Sequence, residues 1–73
     1  MSIGDVWQDN DKRVHNRFLV IRKLAIGYAY CDIYGLYTRE PQFYWRGRTR
    51  IRLDRLKPTH NGYKRRADLD GKL

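Results

Sequence analysis

Cysteine is nearly absent: the chain has one, Cys31, in 73 residues. A lone thiol excludes an internal disulfide and a multi-cysteine zinc site, and it fits a reducing cytoplasm. Long apolar runs are missing too. None approaches the roughly 20 residues that a spanning helix needs, so no membrane partner is expected. The opening Met1-Ser2-Ile3-Gly4-Asp5 has neither the basic nor the apolar region of a signal peptide. Nothing has the spacing of a phosphate loop, a nucleophile elbow or a zinc box. No window supports a long amphipathic helix. Acidic residues are scarce, 8 against 16 Lys and Arg, for a net charge of +8.

That charge is uneven. Residues 1–16 carry a net of −1, residues 17–57 a net of +7, and residues 58–73 a net of +2. Such asymmetry points to contact with nucleic acid or another acidic surface. At this length the chain is one domain, and it buries only about 60% of its unfolded surface. Six Tyr, two Trp and two Phe supply large area per residue and offset that shortage.

Short β-forming runs separated by turn signals fill the sequence. Residues 3–7 read as a first strand, with a loop from Asp9. Residues 18–24 form a second strand and 25–27 a hairpin turn, where Gly27 is free to take positive φ. Residues 28–34 alternate: Ala29, Cys31 and Ile33 share one face, and Tyr28, Tyr30, Asp32 and Tyr34 the other. Residues 35–41 read as a loop. A fourth strand runs from 42 or 43 to 53, a tight helical turn follows at 54–56, and a last short strand lies at 63–65. The fold expected is all-β: a small five-stranded SH3-like barrel over residues 1–66, with a short helical turn before the last strand. Closure would remove exposed edges. Residues 67–73 read as a flexible polar tail.

The fourth strand carries the strongest signal. Residues 48–53 alternate strictly, so Thr49, Ile51 and Leu53 face a core while Arg48, Arg50 and Arg52 form a row toward solvent. The bases of such side chains stand about 6–7 Å apart, close to the roughly 7 Å covered by two nucleotides of rise along one strand. Arg46, Arg55 and Lys57 bring the total to six cations in twelve residues. Guanidinium forks suit phosphate oxygens. The plainer alternative is a charged face that keeps the strand from aggregating, for which one or two charges suffice. Asp54 is expected to brace Arg52, Arg55 or Arg13.

Aromatic residues lie beside this row. Tyr28, Tyr30 and Tyr34, with Tyr44 and Trp45, would offer a stacking platform for nucleic-acid bases if exposed. Alternatively, these rings form a second apolar layer. Trp7, between Ile3 and Val6, reads as core. Asp9, Asn10 and Asp11 could hold a divalent cation, but two carboxylates without a third favour a structural loop. No metal or cofactor is therefore expected. His15 and His60 are possible general acid–base groups without a spacing that singles them out, and Cys31 points inward. The chain reads as a non-enzyme.

Three pieces, taken together, resemble a family of small phage- and prophage-encoded proteins of unknown function. They are Gly4-Asp5-Val6-Trp7 followed by Asp9-Asn10-Asp11-Lys12-Arg13; Ala29 and Cys31; and the run from Gly47 through Asp54-Arg55-Leu56-Lys57-Pro58 to Gly62-Tyr63. The family's marks are a Gly-x-Val-Trp-x-Asp-Asn-Asp-x-Arg opening and an Arg-Ile-Arg-Leu-Asp-Arg-x-x-Pro…Gly-Tyr close. This chain departs from them in residues 35–42 and after Arg66. The resemblance implies a mobile-element origin and action in the cytoplasm of a bacterial host, and it supplies no activity. A weaker similarity links residues 3–7 to the opening strand of SH3-like toxin endoribonucleases, whose catalytic pattern is not evident here. The expectation is a binding module that meets nucleic-acid phosphates through residues 46–57, as a monomer or homodimer. The alternative is an accessory protein that uses the same basic and aromatic surface to bind an acidic host or phage protein.

Overall fold

A computed structural model describes residues 1–9, 17–37, 39–57 and 62–73. Five antiparallel strands form one sheet in the order β4-β3-β2-β1-β5: β1 Val6–Asp9, β2 Arg17–Ala25, β3 Tyr28–Tyr37, β4 Gln42–Arg52 and β5 Tyr63–Arg65. A 3-10 turn at Leu53–Arg55 stands between β4 and β5, and a second spans Ala67–Leu69. This is the all-β order expected from the sequence. Among the described residues no ladder joins β4 to β5, so both remain edges of a curled sheet.

Curling gathers the inner face into one core. Trp7, Leu19, Ile21, Ala29, Cys31, Ile51, Leu56 and Tyr63 pack together, with Ile33 and Leu53 against them. Ile51 of β4 and Tyr63 of β5 thus belong to the same core although among the described residues no ladder joins the two strands. Trp7 and Cys31 are core residues, as their neighbours in the sequence imply. Burial, with Asp32 adding to it, pushes the Cys31 thiol up to about 11, which keeps it protonated and unreactive. The indole N–H of Trp7 is buried without a partner.

The outer face carries a second apolar layer. Val6, Phe18 and Val20 are fully buried there, covered by Tyr34, Leu36, Phe43, Leu69 and Leu73. Phe18 and Phe43 meet edge to face at 5.1 Å. Residues 67–73, expected as a loose tail, form part of this layer. Asp70 Oδ1 accepts the Val6 amide at 3.0 Å and an Arg65 guanidinium N–H at 2.7 Å. The signal is faint in the sequence because Leu69 and Leu73, four residues apart, are the only large apolar residues of a polar stretch.

Two boundaries also differ from expectation. β1 starts at Val6 and includes Asp9, paired with Tyr63. β3 continues through Gly35 to Tyr37 instead of breaking into a loop. Gly35 is there because Tyr44 lies over it: a Cβ would overlap the Tyr44 ring. The β2–β3 turn sits at Ile26 and Gly27 as expected, with Gly27 at φ +78°.

Candidate nucleic-acid interface

Two β-bulges decide what stands on the outer face. In the β2–β3 ladder Ile21 pairs with Cys31 but Lys23 pairs with Tyr30, leaving Arg22 as the extra residue. In the β3–β4 ladder Gly47 pairs with Ile33 but Trp45 pairs with Tyr34, leaving Arg46 extra. Each extra residue reverses the alternation beyond it. By strict period, Lys23 would share the inner face with Ile21, and Trp45 would share it with Thr49 and Ile51. The bulges bring both onto the outer face with Tyr28, Tyr30, Asp32, Arg48, Arg50 and Arg52. Gly47, at φ +143°, supplies the backbone freedom that the second bulge requires.

The arginine row is outward, as read from the sequence. The Arg48 and Arg52 side chains are 84% and 65% exposed, and Arg50 is exposed opposite Tyr30. Their surroundings differ. The Arg50 guanidinium lies 4.5 Å from the centre of the Tyr28 ring, and Lys23 Nζ lies 5.8 Å from that of Tyr30. Arg52 bonds Asp54 at 3.1 Å, one of the braces expected for that carboxylate.

Asp32 is the centre of the face. Its carboxylate accepts Arg22 Nε at 2.8 Å and Trp45 Nε1 at 3.2 Å, and Arg48 Nε stands 3.6 Å away. The Arg22 bond, chiefly, holds the Asp32 carboxyl below the usual range, with Trp45 and Arg48 helping. Arg22 also donates to the Leu73 carbonyl at 3.2 Å, tying this cluster to the C-terminal segment. Arg22, Lys23, Arg48, Arg50 and Arg52 against Asp32 and Asp54 leave three positive charges in excess. A groove of about 550 Å³ opens beside them, lined by Arg22, Lys23, Tyr30, Asp32, Arg48 and Arg50, with Cys31 and Thr49.

The other residues singled out from the sequence divide. Tyr30 and Trp45 are exposed, at 41% and 56%, and Tyr28 is half-buried under Arg50. Tyr34 belongs to the apolar layer. Tyr44 points to the opposite side from the arginines, over Gly35, and stacks on Tyr37 at 4.4 Å. Arg46 is the exposed bulge residue. Arg55 lies in the 3-10 turn and Lys57 just after it, both exposed and beyond the end of the row. Burial, with the Asp9 charge adding to it, pushes the Tyr63 phenol up, and the charges of Arg17 and Arg55 oppose this. Sequence reasoning missed Arg22 and Lys23, and for Lys23 the cause is the bulge that turns it onto this face without a local mark. Asp9 makes an ion contact with Arg17 at 3.8 Å. Asn10, Asp11, His15 and His60 lie outside the described residues.

Among the described residues, no group of three or more His, Cys, Asp and Glu side chains stands close enough to hold a metal ion. None of their helices is long and apolar enough to cross a membrane. The chain matches no family model, no curated protein and no solved structure.

Proposed function

We propose that this is a small, non-enzymatic phage or prophage protein that binds nucleic acid through phosphate contacts along β4. The observation that carries the binding is the row of Arg48, Arg50 and Arg52, exposed on one face that, with Arg22 and Lys23, keeps three positive charges after Asp32 and Asp54 are counted. A polyanion gains from releasing its counterions to such a row. Arginine suits the task because its planar fork grips two phosphate oxygens at once. The phage origin rests on the opening and closing motifs of the sequence alone. An acidic host or phage protein as the partner is the competing outcome.

The test is the triple substitution R48Q/R50Q/R52Q, followed by fluorescence anisotropy with labelled single and double strands over a salt series. Each lost phosphate contact removes about 0.7 from the log–log salt slope for single strands and about 0.9 for duplex, so the slope falls by roughly 2 to 3. Unchanged affinity and slope would refute the reading. If the variant fails to fold, the parent protein still decides: affinity indifferent to salt, or absent at about 50 mM, excludes a phosphate-driven interface.

A further inference from the structure

The arginine row is sequence-blind and takes any polyanion, but the ring at its end does not. Trp45 is 56% exposed, yet its indole is pinned at one edge by the 3.2 Å bond from Nε1 to Asp32. Asp32 is in turn fixed by Arg22. Among the described residues no ring or cation covers the faces of Trp45, whereas Arg50 lies over Tyr28 and Lys23 over Tyr30. The two tyrosines therefore come with a cation already seated on one side. A base landing there displaces a contact, and the indole offers a face at no such cost.

Position reinforces this. The Arg46 bulge turns Trp45 onto the arginine side of β4, next to Arg48 and in line with Arg50 and Arg52. A ligand tracking the row with its phosphates meets the indole at its end. In a duplex the base faces are already stacked on one another. Unpaired nucleotides have faces to give, and every base has one, so stacking on a fixed aromatic ring favours single strands without reading sequence.

We infer that the ligand is single-stranded nucleic acid, with one base stacked on Trp45 while neighbouring phosphates lie along Arg48, Arg50 and Arg52. This rests on the phosphate-binding reading above and adds strand form and a base-contacting residue to it.

The test uses the full chain with oligothymidylate and with a hairpin duplex carrying the same number of phosphates. Trp7 is buried and Trp45 exposed, so emission quenched on binding reports Trp45. Quenching is expected with oligothymidylate and not with the duplex, and it vanishes in W45F, where only Trp7 emits. W45L should weaken oligothymidylate binding by about 5- to 150-fold, while W45F keeps most of it. Neither variant should alter the salt slope or duplex affinity. Salt-dependent binding of both polymers, with no quenching and W45L equal to the parent, overturns this inference and leaves the phosphate reading standing. No binding of either polymer at low salt overturns both. If W45L does not fold, the quenching comparison between parent and W45F decides alone.

Discussion

Replacing both Leu69 and Leu73 by alanine tests whether the C-terminal segment is part of the fold. Both side chains are half-buried against Val6, Phe18 and Val20, which are 0–2% exposed. Truncating a fully buried leucine costs about 2–5 kcal/mol. Half-burial scales that to roughly 1–2 each, or about 2–4 for the pair. A chain of this length has a total stability of only about 4–11 kcal/mol. At about 4–8 °C per kcal/mol, the melting temperature should fall by roughly 8–32 °C. Circular dichroism during heating measures this, with I26A as the control. Ile26 is fully exposed at the β2–β3 turn, so that change should stay within about 0.5 kcal/mol. Hydrogen exchange gives a local readout. The Val6 amide, bonded to Asp70, should lose protection in L69A/L73A before the β2–β3 amides do. A melting point within about 2 °C of the parent, with Val6 still protected, would refute the docking, since the stated loss implies several times that shift.

Acid should expose the same attachment. Arg65, then the Val6 amide, hold the Asp70 carboxyl below its usual range. Because the folded value is lowered, this stabilisation is complete above the unfolded value near about 4 and is lost as pH falls through the folded one. The D70N variant should therefore show a shallower loss of stability between about pH 4 and 2 in urea titrations; a parallel profile would show that Asp70 is not coupled to folding. For Cys31, with its thiol pushed up to about 11, labelling by a disulfide reagent at neutral pH should be slow in the native protein and rapid in denaturant. Fast native labelling would place the thiol outside the core.

How far the sequence disclosed this structure depends on the element. The arginine row was legible because residues 48–53 alternate without interruption and their partner strand does the same. The Gly27 turn and β5 followed from equally local signals. Parity was not legible. Nothing around Arg22 announces an extra residue, so Lys23 was not assigned to the basic face. Gly47 in the middle of a strand was a usable sign of a bulge. Read that way, it would have exchanged the roles of Tyr44 and Trp45. The second apolar layer was hidden for another reason: it joins Val6, Phe18 and Val20 to Leu69 and Leu73 across most of the chain. Each contributor looks incidental until the sheet curls. Gly35 reads locally as the start of a loop because its function, making room for Tyr44, belongs to tertiary packing.

The bulge at Arg46 separates what a residue is from whether it is there. Exchanging Arg46 for another amino acid would cost one exposed charge and leave the ladder intact. Removing the position would restore an unbroken two-residue rhythm in β4, swinging the indole at 45 to the inner side and the phenol at 44 outward. The protein should accordingly tolerate many letters at this site and no gap. Variation in this region of the chain is then constrained by counting, a form of information that no substitution scan can detect.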